Sequence, residues 1–346
     1  MRSKALLLIS LISILSLSCI RAERYQSTSD ITCQQIKQLA GSAVIDFGKW
    51  QIENTFNLLS RTDSYHEGIP EAATLERQIT EVLKDNKIEV LPRVRLRLER
   101  PPYLLVVSPR NIISYYCRVL LSPELTLAQI ENIENKIDNL GFSSLVVELG
   151  GFGAAYPAIV STNMNNKHII RAAVEEWAHQ FLAFRPLGFL YLLDCMGFQQ
   201  SQDILIMNET LAGMIADEIG DQVYKRYYNP GKSDLRSDDK GDDEFYREMR
   251  NTRHVVDILL GEGAIETAER YMEQQRLYFV QKGYNIRKLN QAYFAFHGIY
   301  GEDPACTSPI YEDLHRLRQK YDTLASFVYS ASSLTSQLAL QEAIRR

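Results

Sequence analysis

Four side chains stand out for the chemistry that their types and spacing allow. Glu175, Glu176 and His179 lie within the stretch 174–180, and Glu209 follows further along the chain. Residues four apart project from one face of a helix, so Glu175 and His179 are expected to point to the same place. With Glu209 from a neighbouring helix, they would supply the converging ligands that a divalent metal needs. Glu176 then lies beside the open coordination position, where a carboxylate takes a proton from an attacking water.

Helices must position these residues. The pattern predicts a helix over 167–183, which carries the first three, and a long helix over 204–227, which carries Glu209 and can pack antiparallel to the first. The remainder, 244–343, is predicted to be almost all helical. The polar, Asp-rich stretch 228–243 between them is interpreted as a mobile surface loop.

Strands are predicted only in the first half of the chain. Strict alternation over 93–98 indicates a half-buried strand, and 103–107 is expected to form a second strand antiparallel to it. A third strand over 144–149 ends in the Gly-rich segment 150–153, which is typical of a turn or a close backbone approach. The fold class is therefore predicted as α+β, with a small antiparallel sheet followed by a mainly helical half.

Helices are also expected among these strands. Apolar spacing predicts helices over 29–60 and 72–84, and Thr126 with Gln129 forms a capping box for a third. We accordingly divide the chain into 23–160, with the sheet, and 161–346, with the candidate site; the two may be read as one compact unit.

The N-terminal segment 1–22 has the pattern of an export signal. Arg2 and Lys4 precede an apolar run over 5–17, which is short for a membrane span and right for a signal core. Cys19 lies at the position of a lipoprotein anchor; cleavage near Ala22 or an uncleaved short anchor are the alternatives. All three predict an exported protein, attached to a membrane through its N-terminus in two of the cases.

The remaining cysteines and the charge narrow the class further. Cys33, Cys117, Cys195 and Cys306 have no C-x-x-C spacing, so a zinc ribbon is not predicted. They would form disulfides or serve as small buried apolar residues, and the second interpretation is preferred. A net charge of -5 argues against nucleic acid as a partner.

An ordered set of segments carries a family resemblance. These segments are 104–110, 145–157, 175–180, 184–188, 208–220 and 287–298. The chain resembles a group of uncharacterised bacterial membrane-associated proteins whose layout is similar to that of gluzincins, the zinc peptidases of the thermolysin and aminopeptidase type. The resemblance implies that His179 and Glu209 bind the metal and that Glu176 is the general base. Glu175 stands where gluzincins have histidine, which favours an ion harder than zinc.

The same resemblance implies where a peptide would bind. In gluzincins the strand before the motif helix pairs with extended substrate. Leu145 and Val147, with Gly150 and Gly151 after them, would play that part.

An aromatic or imidazole group from the later helices would complete the site. In a gluzincin-like site it stabilises the oxyanion. Tyr293 and His297 are the candidates, with Tyr300 beside them, and packing in the core is the alternative role for each.

Three functions remain open. The first is metal-dependent hydrolysis of a peptide or protein on the extracytoplasmic side of a membrane, with zinc or another divalent metal. The second is an inactive relative retained as a binding or scaffold protein, which Glu175 favours. The third is a di-metal carboxylate helical protein that would add a second E-x-x-H pair, Glu312 and His315, and Glu218. The predicted strands argue against the third.

Overall fold

A computed structural model describes residues 31–49, 71–195, 198–199, 201–229 and 243–346. Among the helices of these ranges we find none with the length and apolar character needed to cross a bilayer. The predicted export segment 1–22, with Cys19, lies outside the described residues, as does most of the predicted loop 228–243.

The described ranges form a mixed α+β fold. The strands are β1 (Leu96–Leu98), β2 (Tyr103–Pro109), β3 (Cys117–Leu121), β4 (Phe142–Glu148), β5 (Gly151–Phe152) and β6 (Ala158–Val160). The helices are α1 (Cys33–Ala40), α2 (Ala72–Asp85), α3 (Leu127–Asp138), α4 (Asn166–Leu182), α5 (Pro186–Cys195), α6 (Gln202–Tyr227), α7 (Asp243–Gly261), α8 (Ile265–Gln281), α9 (Gln291–His297), α10 (Ile310–Arg318), α11 (Leu324–Ala331) and α12 (Gln337–Arg345).

An antiparallel sheet with the order β3-β2-β4 is covered on both faces. Leu105 and Val107 of β2 point into a core shared with α1 and α3, while Val106 points to the opposite face, where α9 packs. This burial explains the near-continuous apolar run of β2, because a strand that is buried on both faces does not alternate polar and apolar residues.

Strand pairing corrects one prediction. β1 does not pair with β2; it pairs in parallel with β6, and β5 completes this second sheet. The prediction followed the usual rule that strands adjacent in sequence are neighbours in space. Here Glu76 of α2 accepts hydrogen bonds from the backbone of Leu96 and from the side chain of Arg95, which holds β1 against α2.

The predicted helix over 29–60 is also wrong as a continuous element. α1 ends at Ala40, because Gly41 adopts a positive φ of 58°. Val44 then forms a β-bridge with Leu121 of β3. The capping box at Thr126 is confirmed, and α2 agrees closely with the predicted helix.

The helical half is built around α6, a helix of 26 residues. Its sequence is apolar on nearly all sides over 204–216, which is the pattern of a helix buried within a core. α4 and α5 pack against it, as do α2 and α10. The two helices that carry the candidate ligands, α4 and α6, are therefore fixed to each other by the main core of the protein.

A disulfide corrects the preferred interpretation of the cysteines. Cys33 and Cys117 are bonded and join α1 to β3, whereas Cys195 and Cys306 are not bridged. The spacing of four cysteines does not reveal pairing, and only the fold brings these two together.

Reduction of this disulfide is expected to destabilise the protein. The bond closes a sequence separation of 84 residues, and a cross-link of this length restricts the unfolded chain strongly. Replacing Cys33 and Cys117 together by serine should lower the free energy of unfolding by roughly 2–5 kcal/mol, measured by urea denaturation. The double variant Cys195→Ser/Cys306→Ala is the control. A loss of the same size there, or none in the first variant, would contradict this account.

Candidate metal centre

The position of α4 is set by its ends and its apolar face. The side chain of Asn165 caps the N-terminus by accepting from the backbone N–H of His168 at 3.0 Å. Trp177 is 1% exposed and its indole N–H donates to the carbonyl of Pro92 at 2.9 Å. Because Trp177 points into the core, the face that carries Glu175 and His179 is turned towards α6.

The structure brings Glu175, His179 and Glu209 together. One ligand atom from each lies within 4.8 Å of those of the other two, and no other such group of three is found in the described ranges. His179 Nε2 and Glu209 Oε2 are 3.4 Å apart. Glu209 is buried, at 6% exposure, and the other two are half-buried.

Two further side chains hold these groups in place. Asn208 Oδ1 lies 2.9 Å from His179 Nδ1, so this nitrogen is engaged by Asn208, and Nε2 faces Glu209. The Tyr191 hydroxyl donates to Glu209 Oε1 at 2.8 Å, and its ring stacks on the imidazole with 5.8 Å between centroids. Outer contacts of this kind orient metal ligands in proteins.

The cluster contains more acid than the imidazole balances. Burial raises the pKa of Glu175 to about 7 and that of Glu176 to about 8, and the neighbouring carboxylates add to both shifts. Burial by itself disfavours the imidazolium of His179, but the charge and hydrogen bond of Glu209 outweigh it and raise the pKa of His179 to about 10. Burial works against ionisation of Glu209 as well, and the charge and hydrogen bond of His179 outweigh it to lower the pKa of that carboxyl.

The carboxylate of Glu176 lies between the triad, with which its charge interacts, and the segment at β5. The backbone N–H of Gly153 donates to its carboxylate. A Cβ at Gly151 would overlap Glu176 Oε1, and a Cβ at Gly153 would lie 2.8 Å from the Glu176 backbone oxygen. The Gly-rich segment is therefore a close backbone approach, as the sequence predicts, and its role is to let the chain pass directly over Glu176.

A small cavity that is partly open to solvent adjoins the triad. It is lined by Glu175 and Glu209, by the hydroxyl-bearing side chains of Thr210 and Tyr300, and by Glu302. Thr210 is 5% exposed and its hydroxyl oxygen has no hydrogen-bond partner in the described part of the chain. An ion or a water molecule in the cavity would thus find an unused hydroxyl group beside the triad.

Tyr293 and His297 lie elsewhere. Their rings pack on each other with 4.1 Å between centroids, and His297 Nδ1 is 2.9 Å from Asp303 Oδ2. Neither lines the cavity, whereas Tyr300 does. The reason is that α9 packs against the sheet, which turns these two side chains away from α4. The prediction that Tyr293 and His297 reach the site is therefore wrong, and Tyr300 is the tyrosine that lies there.

The outer edge of β4 is closed. The backbone N–H groups of Ser144 and Val146 donate to Asp138 and Glu134, and their carbonyls accept from Asn290 and Arg287. The neighbours Leu145 and Val147 pair with β2. The predicted peptide-binding edge at Leu145 and Val147 is therefore wrong, since side chains already occupy the groups that a peptide would need.

Gly150 and Gly151, the other two residues of the predicted peptide-binding segment, lie beyond the end of β4. Gly150 is exposed and Gly151 begins β5, which is the outer strand of its sheet in the described ranges. Gly151 lies against Glu176, the predicted general base, whereas Gly150 faces Met164.

The second E-x-x-H pair does not form a metal site. Glu312 is exposed, and the ring of His315 packs on Tyr311 with 4.4 Å between centroids. Glu218 is bound by both ends of the Arg318 guanidinium, at 2.7 and 3.0 Å. The di-metal interpretation therefore fails, because the ligands it requires have other partners or face solvent.

Sequence reasoning missed Asn208 and Tyr191. Asn208 directly precedes Glu209, so its position beside the ligand was visible in principle. Tyr191 reaches the site only because α5 folds back on α6, and nothing in its local sequence indicates this.

Comparisons with family models, with curated proteins and with solved structures find no match to this chain.

The close approach at Gly153 gives a prediction. Gly153→Ala should lower the free energy of unfolding by about 1–3 kcal/mol, because the new methyl group meets the backbone oxygen of Glu176 as well as its carboxylate. Urea denaturation measures it. The matched control is Gly150→Ala, whose Cβ would meet only Met164 Sδ at 3.9 Å and should change stability by less than about 0.5 kcal/mol. Equal effects would show that the segment is not packed as described.

Proposed function

We propose that this protein is a gluzincin-like, metal-dependent peptidase. The observation that carries the proposal is the convergence of Glu175, His179 and Glu209 on one point between α4 and α6. The same convergence supports the interpretation of the helical half as zincin-like. The resemblance in sequence implies the same ligand positions at His179 and Glu209.

The donor set fits a divalent cation. In a tetrahedral site with bonds of about 2.0–2.1 Å, neighbouring ligand atoms lie roughly 3.4 Å apart, and His179 Nε2 and Glu209 Oε2 have that separation. His179 Nδ1 is engaged by Asn208, so Nε2 is the nitrogen that remains for a metal. The raised pKa values of Glu175 and Glu176, which burial and neighbouring carboxylates cause, indicate a cluster that a positive charge would stabilise.

A cation held there would polarise the peptide carbonyl and make an attacking water more acidic. The protein's own groups do the rest. Glu176 takes a proton from that water, and Gly153 holds its carboxylate in place. Burial raises the pKa of Tyr300 well above its usual value, so its hydroxyl stays protonated and donates to the developing oxyanion from the cavity wall. The peptide would lie along β5, at Gly150 and Gly151, and not along β4 as the resemblance implies.

Two carboxylates and one imidazole make an oxygen-rich donor set. Zinc or another divalent metal is the proposed cofactor, and the second carboxylate favours a harder ion than a two-histidine site would. Glu175 also keeps the inactive binding or scaffold protein as the second candidate, because an added negative charge weakens the cation as a Lewis acid.

We further propose that the protein acts outside the cytoplasm, attached to a membrane through its N-terminus. The disulfide between Cys33 and Cys117 supports this location, because such bonds persist in oxidising compartments.

Metal binding is the first test. The chain, stripped with chelator and titrated calorimetrically with zinc and with manganese, should bind one equivalent of at least one of them. His179→Ala should weaken that binding by about 100-fold or more, since it removes a direct ligand. His315→Ala is the matched control and should bind as the unchanged chain does. Unaltered affinity in His179→Ala would contradict the proposal.

Turnover is the second test. Glu176→Gln should retain the metal and lose about 100-fold or more in kcat against a fluorogenic peptide library, because the amide cannot accept the proton. Glu312→Gln is the control and should keep full activity. Metal binding without turnover in the unchanged chain would favour the scaffold protein.

A further inference from the structure

Arg118 occupies an unusual position on β3. It pairs with Val106 across the sheet, and Val106 pairs with Leu145, so all three lie on the face that α9 covers. Its neighbours in the strand, Cys117 and Val119, point into the opposite core. The guanidinium of Arg118 thus lies on an apolar face of the sheet. Burying a charge there costs free energy unless a partner balances it.

Within the described part of the chain, the guanidinium of Arg118 forms no hydrogen bond with a carboxylate. The nearest carboxylate is that of Asp194, at 4.0 Å, which is too far for a hydrogen bond. Asp194 already accepts from the backbone N–H of Ser201 at 2.6 Å. Tyr115 offers only the face of its ring, 4.7 Å from the guanidinium carbon. The side chain is 25% exposed, so the described residues do not enclose it completely.

Other arginines with comparable burial are matched. Three of them donate two hydrogen bonds to a single carboxylate, which is the geometry that a guanidinium prefers. These pairs are Arg110 with Glu269, Arg287 with Glu134 and Arg318 with Glu218. Arg118 differs from these three in that no described carboxylate binds its guanidinium at two points.

Arg118 lies beside the metal centre. Its charge acts on Glu209 and on the hydroxyl of Tyr191. Tyr115, whose ring it covers, also interacts with Glu209 and with Tyr300. The contacts run through α5: Asp194, 4.0 Å from the guanidinium, is about one helical turn after Tyr191, whose hydroxyl donates to Glu209.

The surroundings indicate the chemistry of the ligand. Leu104, Leu120 and Val147 form the next row of the same sheet face, and all three are half-buried. A ligand that fits here has a negative charge with two oxygen acceptors and an apolar group beside it. A carboxylate of a peptide that ends in an apolar residue has these properties.

We propose that Arg118 binds a carboxylate of the substrate, and that the protein acts on short peptides in which a carboxylate lies close to the hydrolysed bond. The assignment rests on the proposed function. The carboxylate has two possible sources, the C-terminus of the peptide or an acidic side chain, and the experiment separates them.

Binding to the full chain with Glu176→Gln, loaded with its metal, tests the proposal without turnover. Calorimetry would compare N-acetyl-trileucine as free acid, the same peptide as carboxamide, and N-acetyl-Leu-Glu-Leu carboxamide. The free acid should bind about 10- to 100-fold more tightly than its carboxamide, since a charge-assisted pair is lost in the latter. Tighter binding of the Glu peptide than of the trileucine carboxamide would assign the carboxylate to a side chain instead.

Adding Arg118→Gln should abolish the preference, and Arg118→Lys should keep a part of it, because lysine retains the charge without the planar fork. Arg100→Gln is the matched control, an exposed arginine 3.8 Å from Glu148, and should change nothing. Circular dichroism would verify that each variant is folded. The proposal is overturned if both forms bind equally, if no peptide binds, or if the preference survives in Arg118→Gln.

The outcomes also separate this inference from the proposed function. Hydrolysis that is indifferent to the carboxylate and to Arg118 leaves the peptidase standing and removes the inference. Carboxylate binding that depends on Arg118, without hydrolysis of any peptide by the unchanged chain, removes the peptidase and leaves a carboxylate-binding site.

Discussion

The packing of α4 against α6 confines three carboxylates and one imidazole to a partly buried space, and the rest of the site depends on this confinement. Low polarity makes each unbalanced charge costly. The fold offsets part of that cost with the contact between His179 and Glu209, and with the hydroxyl of Tyr191. The charges of Arg171 and Arg118 act on Glu175 and Glu209, and a bound cation would balance more of what remains. The same constraint explains why burial, with the neighbouring acids, raises the pKa of Glu175 and Glu176.

The surrounding structure holds these groups in fixed positions. Asn208 orients the imidazole, and Gly153 passes closely enough to bond the carboxylate of Glu176. Gln180, one helical turn after Glu176, donates to the carbonyls of Gly153 and Ala155 and ties the same segment to α4. Precise orientation of this kind is what a metal or catalytic site requires and what an ordinary core does not.

The sequence predicted the elements that local signals define. The capping box at Thr126 and the apolar faces of α2 and α6 are such signals. The convergence of the triad was predicted as well, because four-residue spacing fixes one helical face. Contacts between distant elements could not be predicted in this way. The parallel pairing of β1 with β6, the disulfide and the placement of Tyr191 all follow from tertiary packing. The apolar run of α5 has no helical periodicity, which is why that helix was missed.

X-ray absorption at the zinc edge, on the chain with one equivalent of zinc, tests the central claim most directly. The account predicts a first shell of nitrogen and oxygen only, at about 2.0–2.1 Å, with the outer-shell signature of a single imidazole that disappears in His179→Ala. A sulfur ligand at about 2.3 Å, several imidazoles, or an imidazole signal that survives in His179→Ala would place the ion elsewhere and contradict it.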